Sequence, residues 1–456
     1  MEKITSKKKL FLYGCAGMGV NMLGIIVGSY LCSALLKGGF EEHVESWTYL
    51  NKDLVIAAVW SVLILVAKII DGVIDIPFSA FTDNLKTRWG RRRPSLVIGL
   101  VALVAAYVLF LVPLTDSASI LNTIWFGFLL CVFYAAYTLT MLTYYATFAE
   151  ITQKEQDTVF VSNVKSVCDI IYFTLGFALV PVFVNLGINI RYIALGCLPL
   201  SLTMLIPLFL LKEKPTKGKG AEGNTEHVKP LSLFKSISCS FKNKNFIYWM
   251  FTTSVTTFGL QLFLGGINEL FSTMGVSMTI VMACAFAPVP FTIMLYNKMV
   301  KKFGLGTAYR YILGLFSVGM LVMFACGMNL NALSDTGALL VAIAGAVLSS
   351  FAIGAFFSVG YTVPSALAQI EYEKKGISVS SMYFAVQGLF EGVASGIATG
   401  LVLVTLKTTG TILYMPLIVV IACMTAFNMS LLFPKSISQM GRALPSLATD
   451  KTPERI

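Results

Sequence analysis

Within the stretch AKIIDGVIDIPF, Lys68, Asp71 and Asp75 are spaced by three and then four residues. That spacing puts all three on one face of a helix. The flanking residues are apolar, and an ionisable side chain inside an apolar span costs several kcal/mol unless it faces protein or water. Two carboxylates one turn apart repel when both are ionised, so the pair calls for a bound cation, a shared proton or the Lys68 ammonium. This is the chemistry of a coupling site for H+ or Na+. The plainer alternative is a salt-bridge cluster that only fixes helix packing.

Other polar residues stand in apolar surroundings. Asp169 lies one turn from Lys165 and reads as its ion-pair partner, whereas Glu391 has no local partner and is a candidate protonatable group. Asn21, Tyr144 and Tyr145 offer a polar contact and an aromatic platform for a solute. Gln261 and Gln387 are hydrogen-bonding partners from the later part of the chain, although buried glutamines equally serve as glue between helices. Gly388, Gly392, Gly396 and Gly400 form a stripe spaced by four, which permits close helix approach. The run from Asp83 to Pro94 sets an acidic residue before Arg88, Gly90, Arg91, Arg92 and Arg93. Such a tight basic turn suits a gate that holds one side closed, with ordinary topology-setting charge as the alternative.

These residues need apolar helices to hold them, and the composition supplies such helices. Hydrophobic residues make up 56% of 456 positions, charged residues 12%, and the mean hydropathy is +0.79. A spanning helix takes about 20 mostly apolar residues. Segments of that length fall near 10–36, 53–82, 95–115, 120–149, 159–186 and 190–211. A second set falls near 246–271, 276–300, 308–329, 337–370, 377–406 and 411–433. The net charge of +11 is distributed along the chain as topology. Most Lys and Arg residues fall on one side of a twelve-span arrangement, which predicts cytoplasmic termini and argues against nucleic acid. The nine cysteines are scattered with no CxxC pair and read as small apolar packing residues. The first apolar stretch exceeds a signal-peptide core and is expected to remain as helix 1.

The chain divides into residues 1–211, a first six-helix bundle; 212–245, a polar and basic cytoplasmic linker; 246–433, a second bundle; and 434–456, a cytoplasmic tail. The later part of the linker, with Leu231, Leu233, Phe234, Ile237 and Phe241 among lysines, reads as a surface-lying amphipathic segment or as a disordered one. An internal repeat supports the division. Pro77-Phe78-Ser79 precedes Arg88-Trp89-Gly90, and Pro290-Phe291-Thr292 precedes Lys302-Phe303-Gly304. Related halves of this kind are the architecture of transporters that rock about a central site.

The D-x3-D of helix 2, the following proline and the D-x4-RWGRRRP run resemble the glycoside–pentoside–hexuronide:cation symporters within the major facilitator superfamily, of which the melibiose permease is a familiar member. Glu150-Ile-Thr is similar to the family's P-E-L-T turn, with Ala149 in place of its proline. Lys165 falls where the family has an arginine. The resemblance implies that Asp71 and Asp75 are cation-site carboxylates, that Lys68 replaces a nearby arginine, and that Asp83, Arg88, Gly90, Arg91 and Glu150 belong to a gate. It also exposes departures. Asn21 stands where those transporters hold sugar hydroxyls with an aspartate, Met141 at their third cation-site aspartate, and Tyr145 at a tryptophan that contacts sugar. The family's helix-11 lysine would fall near Gly392. A hard cation wants several oxygen ligands, so the loss of one carboxylate favours proton over sodium coupling, with no coupling as a further option.

The expected fold is therefore an all-α membrane protein with twelve transmembrane helices in two six-helix bundles, the major facilitator fold. The expected function is alternating-access transport of a sugar, glycoside or related solute, in a cell membrane, without a cofactor or an inferable protein partner. A lipid-like or amphipathic solute is the alternative. An intramembrane prenyltransferase also carries D-x3-D but needs a second acidic cluster, and no other span offers one. A receptor or scaffold built on a transporter fold is a further class.

Overall fold

The computed structural model describes residues 3–85, 87–152, 155–213, 241, 243–330, 334–375, 380–440 and 442. Among these are twelve helices long and apolar enough to cross a membrane, and no strand. They are α1 (Lys7–Ala34), α2 (Ala57–Asn84), α3 (Arg92–Phe110), α4 (Ile120–Ile151), α5 (Glu155–Asn185) and α6 (Ile190–Leu210). The second six are α7 (Lys244–Thr273), α8 (Met278–Phe303), α9 (Leu305–Met328), α10 (Asp335–Lys375), α11 (Val386–Thr408) and α12 (Ile412–Leu431). Each overlaps its expected span, with ends displaced by a few residues. Most of the linker, residues 214–240 and 242, lies outside the described residues, as do tail residues 441 and 443–456.

Helix starts follow the local chemistry. Ser119 Oγ accepts from the Asn122 amide at 3.1 Å ahead of α4, and Asn243 Oδ1 accepts from the Asn245 and Phe246 amides ahead of α7. Each satisfies donors that the first helical turn leaves open. Neither α1 nor α11 is uniform. Ile26–Leu31 and Ile397–Leu403 are π-helical turns, a geometry that re-aims the side chains following it and is frequent at functional sites.

Packing repeats with a shift of six helices. In the first half α1 packs on α5 and α6, α2 on α4, and α3 on α4; in the second, α7 packs on α11 and α12, α8 on α10, and α9 on α10. The two basic–aromatic–glycine turns are equivalent as well. Gly90 has φ 94° and Gly304 φ 86°, in the region that favours glycine. A Cβ on Gly90 would lie 2.3 Å from Glu213 Oε2, just past α6, and one on Gly304 would lie 2.5 Å from the Ser438 carbonyl, just past α12.

Among the described residues, the halves meet along α2–α11, along α5–α8 and where α1 reaches α7. Along α2–α11 the glycine stripe lies directly on backbone: a Cβ on Gly392 would approach the Lys68 carbonyl to 2.6 Å, and one on Gly400 the Ser61 carbonyl to 2.5 Å. Along α5–α8, Phe286 stacks on Phe177 at 5.0 Å and meets Phe173 edge-on at 5.1 Å. Small residues in the first seam and stacked rings in the second bring the helices of the two halves close together.

Candidate functional site

Between the halves lies a cavity of ≈ 230 Å³. Its polar lining includes Asn21 from α1, Lys68 and Asp71 from α2, Tyr137 from α4 and Gln261 from α7. Phe133, Tyr134, Tyr172, Phe173 and Phe177 add an aromatic wall. Few polar groups among many rings is the usual make-up of a small-molecule site.

The helix-2 cluster occupies one part of this lining. Asp71 Oδ1 accepts a hydrogen bond from Thr138 Oγ1 at 3.1 Å, and Lys68 Nζ sits 4.1 Å from the centre of the Tyr134 ring, where the π face attracts an ammonium. Asp75 lies one turn further along, beside α11: a Cβ on Gly388 would be 3.8 Å from its Oδ2. It does not line the cavity. Asp71 and Thr138 are oxygen donors of the type a hard cation takes. Met141, at the third carboxylate position of the resemblance, supplies none and is buried against Gly17 of α1.

A second cluster joins α1, α4 and α5. Asn21, 4% exposed, receives the Tyr137 hydroxyl on its Oδ1 at 2.7 Å and donates from Nδ2 to Asp169 Oδ1 at 3.3 Å. Lys165 pairs with Asp169 at 2.5 Å and lies 4.9 Å from the Tyr145 ring centre. The sequence singles out Asn21, Tyr145 and Lys165 separately, and the structure gathers them around Asp169, which was read only as a partner for Lys165. The two clusters meet on α4, where Tyr137 bonds Asn21 and its neighbour Thr138 bonds Asp71.

Other sequence candidates stand elsewhere. Tyr144 is fully buried, stacked 5.5 Å from Tyr13, and its hydroxyl donates to the Tyr13 and Gly14 carbonyls, so it holds α4 against α1 and does not line the cavity. Gln387 receives the Trp249 indole N–H at 3.0 Å and donates to Glu391 Oε1 at 2.9 Å; Glu391 also accepts from Thr253 Oγ1 at 2.9 Å. This α7–α11 network lies within the second half, so neither Gln387 nor Glu391 reaches the helix-2 carboxylates through these bonds. Of the gate residues, Gly90 is buried at its left-handed turn, Arg88 is exposed and Arg91 half-buried. The side chains of Asp83 and Glu150 lie outside the described residues. Glu213 accepts from the Arg92 and Arg93 amides at 3.0 Å, which caps α3 and ties the end of α6 to this turn.

Glu269 and Lys407 escaped the sequence reading. They form a buried ion pair at 2.8 Å, joined to Ser33 of α1. Glu269 lies within an expected span, and any ionisable residue there is a signal. Lys407 lies one residue beyond its expected span, so its charge does not stand out from an apolar stretch.

Twelve spanning helices with repeated packing around a central cavity define a multi-pass membrane transporter of the major facilitator fold. The chain belongs to the MFS/sugar transport protein family, which it matches over residues 12–433. Among solved structures it is similar to the nucleoside transporter NupG, at 14% identity and a TM-score of 0.60, covering 94% of this chain and 98% of that one. It is also similar to a bacterial homolog of the human lysosomal transporter Spinster, in an inward-facing and unoccupied conformation, at 13% identity and a TM-score of 0.57, covering 94% and 97%. A POT family transporter in complex with 5-aminolevulinic acid follows, at 12% identity and a TM-score of 0.58, covering 93% and 94%. These likenesses are of fold. Among curated proteins none matches the chain.

Proposed function

We propose that the protein is a proton-coupled secondary transporter of a sugar, glycoside or related polar solute, working by alternating access in a cell membrane with both termini in the cytoplasm. The observation that carries this reading is the double engagement of α4. Thr138 holds Asp71 of the ion cluster, and Tyr137 holds Asn21 of the solute cluster. Adjacent residues on one rigid helix serve both clusters, so a change in the charge of Asp71 and a change in solute occupancy bias the same element.

Asn21, Asp169 and Lys165 together offer amide, carboxylate and ammonium groups, a set suited to vicinal hydroxyls. Asp169 supplies from α5 the carboxylate that Asn21 does not supply from α1. Tyr145 lies under Lys165 and supports the same reading as a ring for a sugar face. Asp71 and Asp75, one turn apart and with Met141 in place of a third carboxylate on α4, favour a shared proton over sodium. The rings of Phe133, Tyr172, Phe173 and Phe177 favour a second reading, in which the solute carries an apolar or aromatic part.

The test is a thermal-shift screen of the purified protein against free sugars, aryl and alkyl glycosides, nucleosides and amphipathic lipids. Hits are repeated in Asn21→Ala and Asp169→Asn. Stabilisation by a sugar or glycoside that both substitutions abolish supports the reading. Stabilisation by lipids alone, indifferent to both substitutions, overturns the solute assignment.

A further inference from the structure

Hydrogen bonds between the two halves gather at the face where α1, α7 and α11 end, opposite the side of the N-terminus. Ser33 of α1 is the centre. Its hydroxyl donates to Glu269 Oε1, and Lys407 Nζ donates to the Ser33 carbonyl at 2.9 Å, to the Ser33 hydroxyl at 2.7 Å and to Glu269 Oε1 at 2.8 Å. The chain following α1 then lies across the ends of α7 and α11. The Glu41 amide donates to Ser272 Oγ at 3.1 Å, Thr273 Oγ1 donates to the Gly39 carbonyl at 3.3 Å, and the Phe40 ring centre sits 4.7 Å from Lys407 Nζ. Gly38 is fitted to this contact, since a Cβ there would lie 2.7 Å from the Lys407 carbonyl. Ser33 and Lys407 also line the central cavity, so the cluster bounds the cavity on this side.

We propose that Ser33, keyed into the Lys407–Glu269 ion pair, is the latch that holds this face of the transporter closed and releases each time the cavity opens on that side. Three observations favour a latch over a static brace. The bonds cross from one half to the other, and separating the halves removes the Ser33 bonds while leaving the ion pair whole within the second half. Lys407 is 3% exposed and Glu269 0%, and a buried ion pair contributes little net stability over apolar packing. Finally, Glu269 Oε2 is buried with no hydrogen-bond partner among the described residues. A carboxylate oxygen so placed gains by contact with water on opening. Bonds lost with Ser33 are offset by hydration of the pair, which keeps the two states close in free energy. The π turns Ile26–Leu31 and Ile397–Leu403 end two residues before Ser33 and four before Lys407, and they set the register that lets the two side chains meet.

The inference rests on the transport activity of the family and on neither the solute nor the coupling proposed above. Spin labels at Ser117→Cys and Thr336→Cys, both exposed on this face in opposite halves, report its opening once the nine native cysteines are replaced. Pulsed electron-electron distances are compared between this background, Lys407→Met, Glu269→Gln, Ser33→Ala and the swap Lys407→Glu with Glu269→Lys. The latch predicts at least a tenfold rise in the ratio of long to short distances for Lys407→Met and Glu269→Gln, a smaller rise for Ser33→Ala, and a return toward the background for the swap. A lower Tm with an unchanged distance distribution in these variants marks a static brace and overturns the proposal. Should both charge variants fail to fold, an unchanged distribution in Ser33→Ala overturns it equally.

Discussion

Asp71 and Asn21 each take a hydrogen bond from α4, and their donors are consecutive residues. That adjacency makes the two clusters separable by mutation. Tyr137→Phe removes the hydroxyl on Asn21 Oδ1 and keeps the ring. A neutral hydrogen bond contributes about 0.5–1.5 kcal/mol net, so solute affinity is expected to fall roughly two- to tenfold, measured by titration calorimetry. Asp169→Asn leaves Lys165 without its carboxylate and is expected to cost more, because a half-buried charge-assisted contact exceeds one neutral bond. Asn21 and Tyr137 line the cavity and Asp169 stands behind them, so an affinity unaltered by either change places the solute away from this cluster. Thr138→Val acts on the other cluster, and the account expects it to leave equilibrium solute binding within about twofold while changing the pH dependence of uptake.

At the scale of helices, the α2–α11 seam is the element most exposed to small changes. A Cβ on Gly392 or Gly400 would meet backbone of α2 within 2.6 Å, and backbone cannot turn aside as a side chain can. Gly392→Leu is expected to lower the Tm by several degrees, the signature of overpacking by about 1–3 kcal/mol. Gly196, with nothing within 4 Å of its would-be Cβ, is the control, and Gly196→Ala is expected to leave the Tm unchanged. Equal effects at both positions would contradict the close approach. The glycine stripe was legible because spacing by four is itself the signal for one helical face. Span existence was equally legible, since apolar length reports it directly. The partners of Gln387, read as a solute contact or as helix glue, and of Glu391, read as a protonatable group, did not follow from their spacing. Position on a helix fixes a face, but which neighbour that face meets depends on tertiary packing, and here Trp249 and Thr253 of α7 receive both side chains.

For the whole molecule, the repeat of packing by six helices and the paired left-handed glycines Gly90 and Gly304 describe two similar bodies. The faint sequence repeat carried this, because a basic–aromatic–glycine turn has a backbone requirement that survives when side chains diverge. The latch was not legible. Ser33, Glu269 and Lys407 are far apart in sequence, and only folding brings them within bonding distance. The charge distribution predicts that the N-terminus faces the cytoplasm. An epitope fused there is expected to resist protease in intact cells and to be cut after permeabilisation, and cutting in intact cells would contradict cytoplasmic termini.

The central claim is that solute moves with a cation whose charge is carried at Asp71 and Asp75. Its most direct measurement is uptake of the stabilising solute into proteoliposomes under an imposed proton gradient, an imposed sodium gradient, or neither. The account predicts accumulation with the proton gradient, none with sodium alone, and loss of accumulation in Asp71→Asn and Asp75→Asn while solute exchange persists. Gradient-driven accumulation that survives both substitutions would contradict it.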